Sequence, residues 1–205
     1  MKPLLLICLT ALAAAAQTSA EWRPLFNGKS LEGWRETPFT GHAAVRVENG
    51  TIVLTAGSPM TGVTYTGAFP RSDYEIRFEA ARLEGGDFFA SLTFPAGDSY
   101  CTWVLGGWGG DIVGLSSLDG WDASDNETRT YFTFEKGRWY SLRLRVTDEK
   151  ITAWIDDRQI VNAAIAGREV SLRPGEIKLS APLGFASYYT TGAVRKIEYR
   201  ALATR

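Results

Sequence analysis

The sequence predicts an all-β protein built as a sandwich of two antiparallel sheets. Apolar and polar residues alternate in several short segments, which is typical of strands with one face on a core and the other in water. Aromatic residues make up 12% of the chain and glycines number 21, a combination that favours strands joined by tight turns. No long segment carries an apolar stripe of helical period. Two sheets that bury one face against each other suit a chain of 205 residues.

The first twenty residues have the order of a secretory signal peptide. Lys2 supplies a positive charge, residues 4–16 form an apolar run, and residues 18–20 are small, as before a cleavage site. The run is too short to span a bilayer comfortably. We therefore predict an exported protein, periplasmic or extracellular, whose mature chain begins near Glu21. The alternative is a buried N-terminal helix.

From residue 21 to residue 205 we predict one sandwich domain, because no linker and no repeat of fixed period interrupts it. The clearest alternation lies at 73–80, where Tyr74, Ile76 and Phe78 alternate with charged residues. Residues 142–146 alternate in the same way, and short polar turns link them to two further strands, which indicates consecutive hairpins. In chain order the strand candidates are 51–55, 63–66, 73–80, 88–94, 99–105, 130–134, 142–146, 151–155, 159–161, 177–180, 183–187 and 196–201.

Residues 106–129 break this pattern and predict a long loop between strands. The segment is rich in glycine, acidic residues and tryptophan. Loops carried on a rigid sheet are the usual location of binding and catalytic residues. Glycine in such a loop allows a ligand or another backbone to approach closely. We therefore expect the functional site here.

The acidic residues of this loop have three interpretations. They form a catalytic cluster in which one carboxylate acts as base, a calcium loop, or a solvated acidic loop. Asp111 is the first candidate for a catalytic carboxylate because it lies beside glycines and a strand. Glu127 is the second, because Arg129 could hold it ionised, and Asp122 is the third.

A divalent metal such as Ca²⁺ is a possible cofactor of the same loop. Its ligands would be Asp119, Asp122 and Asp125, although their spacing fits no EF-hand template. No cofactor follows with certainty from the residues.

Several aromatic residues are candidates for contact with a sugar, because an aromatic face suits the apolar side of a pyranose. Trp108 and Trp121 lie in the loop, whereas Trp103 lies in a predicted strand and suits the core equally well. Tyr188 and Tyr189 end a strand, so alternation turns one inward and the other outward. Arg129 is a further candidate for substrate binding.

The charge of the chain, its hydropathy and its few cysteine and histidine residues bear on its partners and on further catalytic candidates. A formal net charge of −1 provides no basic field to gather phosphates, so we predict no nucleic-acid partner. No segment after the first twenty residues is long and apolar enough for a membrane span. Without those residues Cys101 is the only cysteine, which suits a buried inert thiol better than a nucleophile. His42 is either a general base or an ordinary surface or core histidine.

Residues 26–34, with the sequence FNGKSLEGW, resemble the opening of the 3-keto-disaccharide hydrolase domain family. Further stretches resemble later parts of that family, in the same order and over nearly all of the mature chain. They are 45–54, 73–79, 137–139, 155–161, 182–186 and 194–199. The resemblance implies an exported bacterial protein with a concanavalin-A/laminin-G-like jelly-roll sandwich.

The resemblance also implies cleavage of glycosides oxidised at C3, by elimination and hydration or net hydrolysis. A C3 ketone acidifies the proton on C2, so the reaction needs a base, a stabiliser of enolate charge and an acid for the leaving oxygen. The chain departs from the family at 85–89, where GGDFF replaces an Asn-Ser-Gly turn, and after Gly184, where no histidine follows. A non-catalytic, lectin-like carbohydrate-binding module is the alternative, and a structural or adhesive envelope domain is a third.

Overall fold

Residues 20–203 are described by a computed structural model, and they form two antiparallel β-sheets that pack face to face. The predicted all-β sandwich is confirmed. The predicted signal peptide falls almost entirely on residues 1–19, outside the described part. The strands are β1 (Arg23–Pro24), β2 (Trp34–Glu36), β3 (Val45–Glu48), β4 (Thr51–Leu54), β5 (Met60–Tyr65), β6 (Tyr74–Glu84), β7 (Ser91–Ala96), β8 (Ser99–Gly107), β9 (Ile112–Ser116), β10 (Thr130–Tyr131), β11 (Tyr140–Val146), β12 (Lys150–Ile155), β13 (Arg158–Ala164), β14 (Gly184–Tyr188) and β15 (Thr191–Ala201).

The two sheets interleave distant parts of the chain. The larger sheet has the order β13-β12-β11-β6-β15-β4-β3, and β1 also pairs with β15. The smaller sheet has the order β10-β9-β8-β7-β14-β5-β2. The last two strands therefore lie in the interior of different sheets, β14 between β7 and β5 and β15 between β6 and β4.

The core lies between the sheets and is built by the inward half of each alternation. Phe78 of the larger sheet contacts Trp103 and Phe185 of the smaller sheet, with ring centroids 6.4 Å and 4.8 Å apart. Full burial of one such side chain stabilises the fold by roughly 1.5–3 kcal/mol. Further fully buried members are Ile76, Leu92, Phe94, Leu105, Leu142 and Leu144.

The predicted strand at 177–180 is wrong, because Glu176–Ser180 is a 3₁₀ helix. Its apolar alternation arises from packing, since Ile177 and Leu179 lie on a small cluster that includes Phe39 and Met60. The positions beside β14 are already filled by β5 and β7, so no place remains for another strand there.

The limits of three other predicted segments also differ. In the predicted loop 106–129, Ile112–Ser116 forms β9 and pairs with β8, because these residues are buried and apolar enough to continue the sheet. The predicted strand 88–94 begins only at Ser91. The preceding turn places Asp87 and Phe88 on the outer face of the smaller sheet. The predicted strand 130–134 is limited to β10.

Cys101 is fully buried in the core, and its burial raises the pKa of the thiol to about 12. The thiolate is the reactive form of cysteine, so a thiol that stays protonated at neutral pH is inert. In residues 20–203 no helix is long and apolar enough to cross a membrane.

The outer face of the larger sheet is covered by ion pairs around a buried carboxylate. Glu75 is fully buried and accepts hydrogen bonds from Arg143 (2.9 Å), Arg145 (2.8 Å) and Arg200 (2.7 Å). Arg143 also lies over the ring of Trp154, 3.7 Å from its centroid. The neighbouring strands β6, β11 and β15 are thus joined by side chains as well as by backbone hydrogen bonds.

Replacing Glu75 by glutamine is expected to lower the free energy of unfolding by about 2 kcal/mol at neutral pH. The substitution removes the buried negative charge that pairs with three partly exposed arginines. Burial raises the pKa of Glu75, but the hydrogen bonds and charges of Arg200 and Arg145 outweigh it and lower that pKa below its usual value of 4.5. The carboxylate therefore stabilises the fold above this value, and the stabilisation is lost as pH falls through the lowered pKa.

Urea unfolding of the wild-type protein and Glu75→Gln between pH 7 and pH 3 measures this difference, which should shrink in acid. Glu48→Gln is the control, because Glu48 forms an exposed pair with Arg46 and should change stability by less than about 0.5 kcal/mol. A difference between wild type and Glu75→Gln that stays constant over this pH range would contradict the prediction.

Candidate functional site

A cleft of about 440 Å³ lies on the outer face of the smaller sheet. Its floor is formed by outward side chains of adjacent strands, and the inward neighbours of these side chains belong to the core. The floor residues are Met60 of β5, Tyr188 of β14, Ser91 of β7, Thr102 and Val104 of β8, and Ser116 of β9. The rim comes from three connections and comprises Asp87, Phe88, Trp108, Arg173, Pro174, Glu176 and Ile177.

Trp108 lies on the turn between β8 and β9, and this turn is held from below by a buried arginine. Arg82 is 8% exposed, and its Nη2 donates to the carbonyl oxygen of Gly110 at 2.5 Å and to that of Gly106 at 3.5 Å. Gly106 has a φ of +78°, and a Cβ there would collide with the guanidinium. The arginine and the glycines thus fit each other closely.

The guanidinium of Arg82 is flanked by core rings, with its central carbon 5.3 Å from the centroid of Phe89 and 5.7 Å from that of Phe134. Burial lowers its pKa, and the negative charges of Asp87 and Asp111 partly oppose that effect. Its Nε has no hydrogen-bond partner in the described structure. The carbonyl groups of Gly106 and Gly110 are therefore the acceptors that partly compensate the burial of this cation.

Asp87 fixes the same turn from the opposite side. Its Oδ2 accepts the N–H of Gly109 at 3.1 Å, and its Oδ1 accepts the N–H of Phe88 at 2.7 Å. Trp108 itself has a φ of +50°, a conformation that is uncommon for a bulky residue. Each carboxylate oxygen has a second lone pair, so Asp87 can still accept a hydrogen bond from a ligand in the cleft.

A second ion-paired group completes the rim. Arg173 forms an ion pair with Asp122, with 3.2 Å between Nη1 and Oδ2, and its guanidinium carbon lies 5.6 Å from the ring centroid of Trp108. The other oxygen of Asp122 accepts the hydroxyls of Ser116 (2.9 Å) and Ser117 (3.0 Å). Asp122 therefore links Arg173 on the rim to the hydroxyl of Ser116 on the floor of the cleft.

Glu176 lies on the rim, but its carboxylate is occupied. It accepts both the hydroxyl and the backbone N–H of Thr40, at 2.5 Å and 2.9 Å. These hydrogen bonds lower the pKa of Glu176 below its usual value. The residue thus connects the rim to the loop between β2 and β3.

The structure separates the carboxylates proposed from sequence. Asp122 contacts the cleft residues Ser116 and Arg173, whereas Asp111, just before β9, and Glu127 are exposed and do not line the cleft. The cation beside Glu127 is Arg168 and not Arg129; its hydrogen bond, together with the backbone, lowers the pKa of Glu127. Arg129 instead donates to the carbonyl oxygen of Ser124.

The aromatic candidates are also divided. Trp108 and Tyr188 line the cleft, and Tyr189 is 55% exposed beside it. Trp103 is fully buried in the core, while Trp121 is 63% exposed and does not line the cleft. His42 is exposed and lies outside the cleft lining.

The three acids proposed as metal ligands do not converge. Asp119 pairs with Arg168, and Asp125 accepts a hydrogen bond from the hydroxyl of Ser124. Asp122 contacts Arg173, Ser116 and Ser117. Within residues 20–203 no group of three histidine, cysteine, aspartate or glutamate residues is arranged to hold a metal ion. These residues therefore do not fit a calcium ion.

Sequence reasoning missed the residues that other segments bring to the cleft. Asp87 and Phe88 lie in the GGDFF stretch, whose departure from the family pattern was the available signal. Arg173 lies in a segment without periodicity, and Ile177 lies in a segment that was predicted as a strand. Ser91, Thr102 and Ser116 are small polar residues inside otherwise apolar strands, which marks an outward face but not a site.

Solved structures of similar fold include proteins that act on or bind carbohydrates. A proposed glycosyl hydrolase from Parabacteroides distasonis superposes with a TM-score of 0.56 at 14% identity, over 89% of this chain and 94% of its own. The carbohydrate-binding module CBM66 from Bacillus subtilis gives 0.54 at 12% identity, over 82% and 96%. The Crh5 transglycosylase gives 0.58 at 12% identity, over 92% and 86%. At such identities the likeness shows the fold.

Two sequence comparisons complete this picture. No curated protein matches the chain. Residues 21–200 match the sequence model of the 3-keto-alpha-glucoside-1,2-lyase-like domain.

Replacing Arg82 by lysine is expected to loosen the turn that carries Trp108. A lysine ammonium lies near the position of the arginine Cζ, one bond short of Nη2, so it cannot keep both hydrogen bonds. The loss of one charged hydrogen bond corresponds to about 2 kcal/mol, or about thirty-fold in local opening. Hydrogen exchange by mass spectrometry should show faster exchange in peptides that cover 106–111. Arg158→Lys, at an exposed hairpin position, should leave these peptides unchanged. Equal exchange in wild type and Arg82→Lys would contradict this account of the turn.

Proposed function

The chain belongs to the 3-keto-alpha-glucoside-1,2-lyase-like domain family, and from this membership we propose that it cleaves 3-keto-glycosides in the cleft on its smaller sheet. One observation carries the proposal: a carboxylate, a guanidinium and an indole, from Asp87, Arg173 and Trp108, line the same cleft above a floor that includes several hydroxyl groups. A concave site with an aromatic wall and a few convergent polar groups is the usual form of a small-molecule site.

The chemistry begins with the acidity of the C2 proton beside the C3 ketone. A base removes this proton, and the electron pair forms an enolate whose charge rests on the C3 oxygen. When the carbonyl reforms, a double bond develops between C1 and C2, and the C1–oxygen bond breaks. The aglycone leaves as an alcohol after it takes a proton. Addition of water across the new double bond completes a net hydrolysis.

We assign the role of base to Asp87 and the stabilisation of enolate charge to Arg173. The carboxylate of Asp87 is held by two backbone N–H groups, so it is oriented before a ligand arrives. The guanidinium of Arg173 is 54% exposed and only partly neutralised by Asp122, which leaves donors for an oxyanion. The hydroxyl of Tyr188, on the same floor, is the proposed proton donor to the leaving oxygen.

The residues proposed from sequence take different parts in this scheme. Trp108 and Tyr188 keep a role in substrate binding. Asp122 becomes a positioning residue, because it contacts Arg173 and the floor hydroxyl of Ser116. We move the role of base away from Asp111 and Glu127, because neither side chain lines the cleft.

A second candidate function is carbohydrate binding without chemistry. The observation that favours it is that both carboxylates on the rim already accept hydrogen bonds from the protein, as structural acids do. The fold is shared with a carbohydrate-binding module, and a fold of this kind hosts both functions.

The mature protein is expected to release the aglycone from a 3-keto-glucoside. Asp87→Asn should lower kcat/KM by about 10³-fold, because a positioned base contributes roughly 10²–10⁴-fold. The amide oxygen can still accept one backbone N–H, so the melting temperature should fall by only a few degrees. Aglycone release under initial-rate conditions, together with thermal melts, measures both effects.

Asp98→Asn, in an exposed turn between β7 and β8, is the matched control and should retain wild-type turnover. If Asp111→Asn abolishes turnover and Asp87→Asn does not, the base is the carboxylate first favoured from sequence. If the wild-type protein releases nothing from any 3-keto-glucoside and yet binds a glycoside by calorimetry, the binding function is correct instead.

We also propose that the chain is exported and that residues 1–20 are removed. The order of charge, apolar run and small residues supports this. Expression of the full chain in a Gram-negative host should place the protein in the periplasm, with Glu21 as its first residue by N-terminal sequencing. Substitution of Ala20 by a bulky tyrosine should retain the precursor. A protein that keeps residues 1–20 in the cytoplasm would refute the proposal.

A further inference from the structure

The cleft has two chemically different ends, and the strand order separates them. Ser116, Thr102 and Ser91 lie on β9, β8 and β7, which are neighbours on one side of the floor. Tyr188 and Met60 lie on β14 and β5, which continue the floor on the other side and pair directly at these two residues. The floor thus changes from three small hydroxyl side chains, with Val104 among them, to the larger apolar surfaces of Met60 and the Tyr188 ring.

The rim follows the same division. Asp122 links Arg173 to the hydroxyl of Ser116, and Arg173 lies near Trp108, so the charged groups gather at the β8–β9 end. Asp87 joins them through its contact with Gly109. This polar end offers donors and acceptors suited to the hydroxyl and carbonyl oxygens of an oxidised sugar.

The opposite end is mainly apolar, and its one charged rim residue, Glu176, has its carboxylate occupied by Thr40. The rings of Phe88 and Tyr188 are in contact, with centroids 5.4 Å apart. Ile177 of the 3₁₀ helix and Met60 belong to one apolar cluster with both rings. Phe88, Tyr188 and Ile177 are only partly buried, so each still has surface to offer to a ligand.

We propose that the polar end holds the 3-keto sugar and the apolar end holds an apolar aglycone, so that the preferred substrates are glycosides of aromatic or alicyclic alcohols and not disaccharides. This inference rests on the proposed function for the reaction at the polar end. A second sugar at the apolar end would bring its hydroxyl groups against Met60, Ile177 and Phe88, which cannot hydrogen-bond to them. An aryl or cyclohexyl group would bury apolar surface there instead.

Binding is tested first, with unoxidised ligands and the mature chain. By calorimetry, phenyl glucoside and cyclohexyl glucoside should each bind at least tenfold more tightly than methyl glucoside and maltose. Ile177→Thr should reduce this preference at least threefold. Ile160→Thr, a partly buried apolar position on β13 of the other sheet, is the matched control. The ligand series on the unaltered protein is decisive even if a variant fails to fold.

Turnover is tested with 3-keto forms of the same compounds. Cyclohexyl glucoside is informative because its leaving alkoxide is at least as basic as that of a sugar, so a lower KM cannot come from an easier departure. A KM at least tenfold lower than for 3-keto maltose supports the inference, and equal or higher values overturn it. Tight binding of the apolar glucosides without cleavage overturns the proposed function and leaves the ligand assignment standing. Cleavage without an apolar preference overturns the ligand assignment and leaves the proposed function standing.

Discussion

The buried guanidinium of Arg82 connects the packing of the two sheets to the shape of the cleft. Arg82 lies on β6 of the larger sheet, but its hydrogen bonds go to carbonyl groups at the end of β8 and in the turn that follows, in the smaller sheet. A cation between the rings of Phe89 and Phe134 requires acceptors close by, because desolvation is costly without them. The turn supplies these acceptors and at the same time carries Trp108. The position of one wall of the cleft is therefore set by a charge beneath it.

The difference between the two outer faces explains where a ligand site can lie. On the larger sheet, long side chains such as Arg143, Arg145 and Arg200 fold over Glu75 and over tryptophan rings, so they cover the backbone. On the smaller sheet the outward residues include Ser91, Thr102 and Ser116, whose side chains are short. A hollow remains above them, and three connections raise its rim.

The strands were predictable because their signal is local. The alternation at 73–80 and at 142–146 depends only on which face of each residue meets the core, and both segments form the predicted strands. The same signal was misleading at 177–180, where an alternating pair packs on a small cluster from a 3₁₀ helix. Periodicity reports burial, and burial does not require a place in a sheet.

The site was less predictable because its members are distant in sequence. Composition selected the acidic loop, but Glu127 finds its partner Arg168 41 residues away, outside the loop and away from the cleft. Asp87 lies 22 residues before its partner Gly109 and had no cluster of acids to mark it. Only the pairing of β7, β8 and β9 shows that these segments meet. The family resemblance predicted the fold, and the proposed reaction rests on it. The departure at 85–89 coincides with the candidate base.

The central place of β15 has a consequence for the order in which the protein folds. Strands β4 and β6 do not pair with each other; each pairs with β15, which is made late in synthesis. A nascent chain that lacks residues 191–201 therefore holds two unjoined halves of the larger sheet, each with an open edge. Productive folding must wait until almost the whole sequence has left the ribosome. For the export proposed above, such a delay would keep the chain unfolded during its passage through a secretion channel.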